Sequence, residues 1–168
     1  MRNLFLLLIF LSAVQLYSQS ANYPQIMNNG TIFINTGIGF GKDVETEKSC
    51  PPLSVSMDIA IPIMGFPVTL GLISGYFTES SRFIDLSAIL AASRIAYHLN
   101  LFNQPRLDTY VLLTLGVIFA EINSNKDYYF WFGICAGARY FFLPNMGAFV
   151  ELGFDKVQNC SLGLSFRL

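Results

Sequence analysis

An eight-stranded, antiparallel, up-and-down β-barrel that crosses a membrane is the all-β fold class this sequence predicts, on three observations. The first is composition: of 168 residues, 53% are hydrophobic and 15% aromatic, while only 12% are charged. A soluble domain carries about 25% charged residues, so much of this surface is built for something other than water. The second is period. Apolar and small-or-polar side chains alternate along most of the chain, as in strands with one face of each kind. The third is the poor fit to helical spans, which need about 20 mainly apolar residues each. Only residues 59–78 run that long without a charge, and Pro62, Gly65 and Pro67 interrupt them. Lipid accepts only helices and closed barrels, because both pair every backbone polar group.

The elements follow in chain order. Arg2, the apolar run 4–11 and the small-any-small set Ser18-Gln19-Ser20 read as a signal peptide over residues 1–20, cleaved after Ser18 or Ser20. Residues 21–168 then form the barrel domain. Residues 31–41 place Ile32, Ile34, Ile38 and Phe40 on one face and Asn35, Gly37 and Gly39 on the other. This glycine-rich stretch has no helix after it, so it is a strand rather than a phosphate loop. Residues 53–61 separate Leu53, Val55, Met57, Ile59 and Ile61 from Ser54, Ser56, Asp58 and Ala60. Val68, Leu70 and Leu72 oppose Thr69, Gly71 and Gly75 in the third strand. Residues 84–98, rich in Ala and Ile, alternate less clearly and suggest a bulge. Residues 107–119, 130–140 and 147–154 restore the pattern. The chain closes on Leu162, Leu164, Phe166 and Leu168 against Gly163, Ser165 and Arg167.

The connections give an independent check. With both termini periplasmic, the periplasmic turns are 62–66, 99–106 and 143–145, which are apolar or proline-bearing and almost uncharged. The opposite end carries 41–52, with Lys42, Asp43, Glu45, Glu47 and Lys48, then 78–82, 123–127 and 155–159. Short turns on one side and charged loops on the other match outer-membrane barrels.

The stretch from Gly137 to Gly153, through Arg139-Tyr140-Phe141-Phe142 and Pro144-Asn145, followed by Leu162-Gly163-Leu164-Ser165-Phe166, resembles the closing strands of small bacterial outer-membrane β-barrel proteins of the porin-like superfamily. Arg94 to His98, and Leu107 to Tyr110 before Leu115-Gly116, resemble its middle strands. The resemblance covers most of residues 21–168 and implies fold and location more than activity. It implies a cell outer-membrane location, contact with outer-membrane lipid and lipopolysaccharide, and assembly by the barrel-insertion machinery. Leu168 departs from the aromatic residue more common at the end of the family's assembly strand.

With the greasy faces toward lipid, Asp58, Asp108 and Glu151 share the lumen with Arg94, Arg139 and Arg167. An arginine on the lipid face at mid-depth costs about 2–4 kcal/mol, and an unpaired buried ion costs several. The six are therefore expected to form a salt-bridge network near the periplasmic end. Phe33, Tyr110, Trp131, Phe141 and Phe149 also point inward, filling a lumen that eight strands leave narrow.

The remaining motifs carry less chemistry. His98 is the single histidine; the sequence places no nucleophile or orienting acid beside it, so it reads as an interfacial or turn residue. The three cysteines lack metal-ligand spacing. Cys50 and Cys160 fall near the outer ends of neighbouring elements and are candidates for a disulfide. Tyr76, Phe83, Tyr97, Tyr128, Tyr129 and Tyr140 fall near strand ends, as an interfacial girdle does. A net charge of -1 without a basic stripe excludes nucleic acid as a partner. The reading is of a non-enzymatic structural or surface-binding barrel with no cofactor, its loop 41–52 the best candidate for an extracellular ligand. The alternatives are a narrow channel or carrier for a small solute, an outer-membrane lipid-modifying enzyme, and a soluble lipocalin-like barrel.

Overall fold

The computed structural model describes residues 27–40, 48–61, 63, 66–80, 85–99, 101–102, 104–154 and 160–168. They form a closed barrel of eight strands, each hydrogen-bonded to its neighbours in sequence, with β1 and β8 closing it. The strands are β1 (Ile32–Phe40), β2 (Lys48–Ala60), β3 (Val68–Ser80), β4 (Asp85–Leu99), β5 (Leu107–Ile122), β6 (Asn125–Leu143), β7 (Met146–Phe154) and β8 (Cys160–Arg167). All pairings are antiparallel. The ladder is continued at the seam by reciprocal bonds between Ile32 and Leu168, at 3.1 and 2.9 Å. The proposed signal segment 1–20 lies outside the described residues.

Register fixes the barrel's shape. Following partners once around, from Tyr128 through Phe119, Ile89, Tyr76, Leu53, Ile38, Leu162 and Val150, returns to β6 at Ala138, ten residues further on. That stagger tilts the strands by about 40° to the barrel axis. It also makes one rim level and the other oblique. The rim carrying Leu168 and the 61–68, 99–107 and 143–146 connections, here the turn rim, is even. At the opposite loop rim, β2 to β6 rise well above the ends of β7, β8 and β1.

The tallest feature is the β5–β6 hairpin, where residues 123–127 were expected to be a loop. Asn123 and Ser124 have φ of 48° and 69°, the left-handed pair of a two-residue type I′ turn. Lys126 and Asp127 therefore belong to β6. β2 likewise begins at Lys48, so residues 48–52 of the expected 41–52 loop are strand, and 41–47 lie outside the described residues. The bulge expected in β4 is absent: its partners run unbroken on β3 and β5. The register shifts fall instead between Cys50 and Leu53 on β2 and between Phe141 and Leu143 on β6.

Inward and outward positions alternate along the strands, except above Trp131 on β6, where both faces are exposed. Outward positions form an exposed apolar belt that includes Met57, Leu72, Leu115, Phe132, Leu152, Leu162 and Leu164. Phe33, Tyr110, Trp131, Phe141 and Phe149 are buried in the lumen, as their parity requires. Tyr76, Tyr128, Tyr129 and Tyr140 are exposed near strand ends, and Phe83 lies outside the described residues.

Candidate functional site

The lumen divides into two layers of different chemistry. The lower, toward the turn rim, is charged. Period two sends Asp58 of β2, Arg94 and His98 of β4, Asp108 and Tyr110 of β5, Arg139 of β6 and Glu151 of β7 inward, and all are at most 7% exposed. Arg94 is central: its Nη2 donates to Glu151 Oε1 at 2.7 Å, and its Nε lies 3.0 Å from Asp58 Oδ1. The second distance is an ion-pair contact whose N–H is not aligned on the oxygen. Arg139 Nη1 donates to Asp108 Oδ2 at 3.3 Å, and its Nη2 stands 4.0 Å from Asp58 Oδ2. Its guanidinium also lies 4.3 Å from the centroid of Phe33 and 5.1 Å from that of Tyr110, so aromatic faces add to its charge compensation.

Polar neighbours complete the carboxylates. Tyr110 OH donates to Glu151 Oε1 at 2.9 Å and Ser161 Oγ to Oε2 at 3.5 Å. Asn35 Nδ2 donates to both Asp58 Oδ2 and Ser56 Oγ at 2.9 Å. Dense bonding of this kind is what lets ions reside in a narrow, dry interior.

Two residues sit differently from the sequence reading. His98 is not an interfacial residue: it is 2% exposed, with Nδ1 2.7 Å from Asp108 Oδ1 and Nε2 3.1 Å from Thr69 Oγ1. A carboxylate only accepts, so Nδ1 carries a proton. His98 thus supplies the third basic side chain of the buried cluster. Arg167 is at the turn rim, half-buried, where it donates to the Pro144 carbonyl and stands 5.2 Å from the Phe141 ring centroid. The signal for His98 was available. It lies four residues after Arg94, hence on the same strand face, but the supposed bulge obscured that parity.

The acid, imidazole and hydroxyl that the sequence did not bring together are therefore aligned as Asp108, His98 and Thr69. All three are at most 2% exposed, leaving a substrate no approach to the hydroxyl.

The upper layer is apolar. Ile73, Phe77, Leu90, Ile118 and Trp131 pack with Ala88, Ala92 and Ala120 into one buried cluster on the β3–β6 wall. Gly37, Gly153 and Gly163 make the opposite wall thin. A Cβ on Gly37 or on Gly163 would come within 2.8 Å of the Phe149 ring, so that ring lies directly over both glycines.

Cys160 carries a free thiol, which bears on the candidate Cys50–Cys160 disulfide. Strand β1 lies between β2 and β8, and two strand spacings, about 10 Å, exceed what a disulfide spans. The Cys50 side chain is outside the described residues. Among the described residues, no cluster of three His, Cys, Asp or Glu side chains is arranged to hold a metal.

No protein-family model matches the chain, and no curated protein matches it. Solved structures do. The N-terminal β-barrel domain of Pseudomonas aeruginosa OprF superposes with a TM-score of 0.60 at 18% identity, covering 84% of this chain and 100% of that one. Neisserial surface protein A gives 0.55 at 12% identity, over 84% and 98% of the two chains. The attachment invasion locus protein Ail of Yersinia pestis, solved with the heparin analogue sucrose octasulfate, gives 0.52 at 15% identity over 84% and 100%. The chain has the fold of these small eight-stranded outer-membrane barrels.

Proposed function

We propose that this protein is an integral outer-membrane barrel with no catalytic role, which acts as a structural element of the membrane or presents a binding surface at its loop rim. The observation that carries this reading is the two-layer lumen. Charged groups paired to one another fill the lower half, and a packed apolar cluster fills the upper half of the tall wall. Water-filled pores need a continuous polar path, and among the described residues neither layer offers one. The exposed apolar belt supports the membrane location. The level turn rim and the tall, charged loop rim support an orientation with both termini periplasmic.

The buried Asp108-His98-Thr69 alignment supports a structural role for the histidine, as part of the network that pins the strands. The assembly strand, with Leu162, Leu164 and Phe166 toward lipid and Leu168 at its end, supports handling by the barrel-insertion machinery. Among the described residues the loop rim carries Glu79, Asp85, Glu121 and Asp127 with Lys126 among them, a set that disfavours on charge a sulfated polyanion of the kind bound to Ail.

Reconstitution tests the proposal. The protein is expected to partition with outer membranes, to show heat-modifiable gel mobility, and to give no single-channel current in planar bilayers. A water-soluble monomer without detergent refutes the membrane reading, and a reproducible conductance refutes the occluded lumen.

A further inference from the structure

Three buried polar atoms of the lower layer make no hydrogen bond among the described residues: Asn35 Oδ1, Arg139 Nε and Ser165 Oγ. Their residues are 4%, 1% and 0% exposed, so bulk solvent does not serve them. Burying a polar atom without a partner is costly, and three such atoms in one layer ask for a shared explanation. A fourth, Arg94 Nε, already lies against Asp58 Oδ1 at 3.0 Å.

The three converge on one spot. Asn35 and Ser165 are direct cross-strand partners on β1 and β8, with Cβ atoms about 5 Å apart. Arg139 reaches the same place from β6. Its Nη2 and the Asn35 Nδ2 both face Asp58 Oδ2, at 4.0 and 2.9 Å, and its guanidinium covers the ring of Phe33, two residues before Asn35 on the same buried face of β1. Asn35 cannot turn its amide over to find a donor. Its Nδ2 already donates to Asp58 and Ser56, and the exchange would set Oδ1 against the carboxylate. Room lies beside Ser165, whose partner on β7 is Gly147. A Cβ added there would first meet the backbone of Tyr140 and Phe141 rather than a side chain from across the lumen.

We infer that the lumen binds one structural water at this point, which accepts from Arg139 Nε–H, donates to Asn35 Oδ1 and bonds Ser165 Oγ. The chemistry of the three atoms selects it. The guanidinium repels a cation, the Asn35 carbonyl and the Asp58 carboxylate repel an anion, and an apolar group would leave all three atoms unserved. Water both donates and accepts, and a buried water typically makes about three such bonds. The site ties both seam strands, β1 and β8, to β6 through side chains.

Cross-relaxation between solvent and the Arg139 Nε–H, measured on the folded, 15N-labelled protein in detergent micelles, is the test. The Overhauser and rotating-frame signals to water should have opposite signs, as they do for a water that tumbles with the barrel; proton exchange with bulk gives equal signs. The signal should persist in Ser165→Ala, where two partners remain and no Ser165 hydroxyl can relay exchange. Ser165→Val fills the space and should abolish it, with heat-modifiable mobility confirming that each variant folds. Absence of the signal in the folded wild-type protein overturns the site, and so does its survival in folded Ser165→Val. A crystal structure in which Ser165 Oγ donates directly to Asn35 Oδ1 overturns it as well, whereas a water within about 3.2 Å of all three atoms supports it.

Discussion

Arg94 on β4 and Glu151 on β7 meet across the lumen, Nη2 to Oε1 at 2.7 Å, although β5 and β6 separate their strands in the sheet. The contact is a chord across the barrel rather than a link between neighbours. It fixes the cross-section in a way that ladder hydrogen bonds cannot.

Glu151→Ala should accordingly cost about 3–5 kcal/mol, the penalty for leaving a buried ionic partner uncompensated. Arg94 would keep Asp58 alone, and the Tyr110 hydroxyl would lose its acceptor. The midpoint of heat-induced mobility change measures the loss. Bilayer recordings should stay silent, because the upper cluster is untouched; a stable variant with a clear pore current would contradict the plug.

His98→Ala should destabilise by about 1–3 kcal/mol, since Asp108 and Thr69 each lose a buried partner. A merely interfacial histidine would fall within about 0.5 kcal/mol of wild type. Chemical denaturation in detergent separates the two outcomes.

Trp131→Ala removes the largest side chain of the upper layer and should cost about 3–5 kcal/mol. The charged layer remains in place below it, so conductance is again expected to be absent. Fluorescence suits this variant poorly, as Trp131 is the single tryptophan, and gel mobility or circular dichroism is the proper readout.

Gly37→Ala places a methyl group 2.8 Å from Phe149 Cζ. Displacing the ring should cost about 1–3 kcal/mol, and most of that should vanish in a Phe149→Leu background. A double-mutant cycle with coupling below about 0.5 kcal/mol would show that the ring does not hold its position over the glycine.

The legible part of this fold was the part where lumen and lipid differ in polarity. On β1, β2, β5, β7 and β8, greasy and small-or-polar residues alternate, and both strand existence and facing could be read. On β4 the contrast fades. Leu90 and Ala92 point inward to the apolar upper layer while Ala91 and Ser93 point outward, so both faces look alike and a bulge was inferred where none exists. That error hid His98. At the top of β6, Asn125 to Phe130 are exposed on both faces because the hairpin stands above its neighbours, so no burial pattern marks the strand. Arg167 was assigned to the network by parity and by its place near the periplasmic strand end, and that end is where the rim carbonyl of Pro144 lies within its reach.

The seam between β1 and β8 bears on how the molecule forms. Every other strand pair joins neighbours in sequence and closes a short loop, whereas Ile38 opposite Leu162 brings together nearly the two ends of the barrel domain. Loop-closure entropy grows with the length closed, and non-local pairing is what slows folding. Seven hairpins can zip independently of one another, and the eighth pairing alone requires the whole sheet to have curled. Chords such as Arg94 to Glu151 curl it without drawing on either seam strand. The seam is therefore the pairing that closes the longest stretch of chain, and until it forms β1 and β8 each keep one unpaired edge.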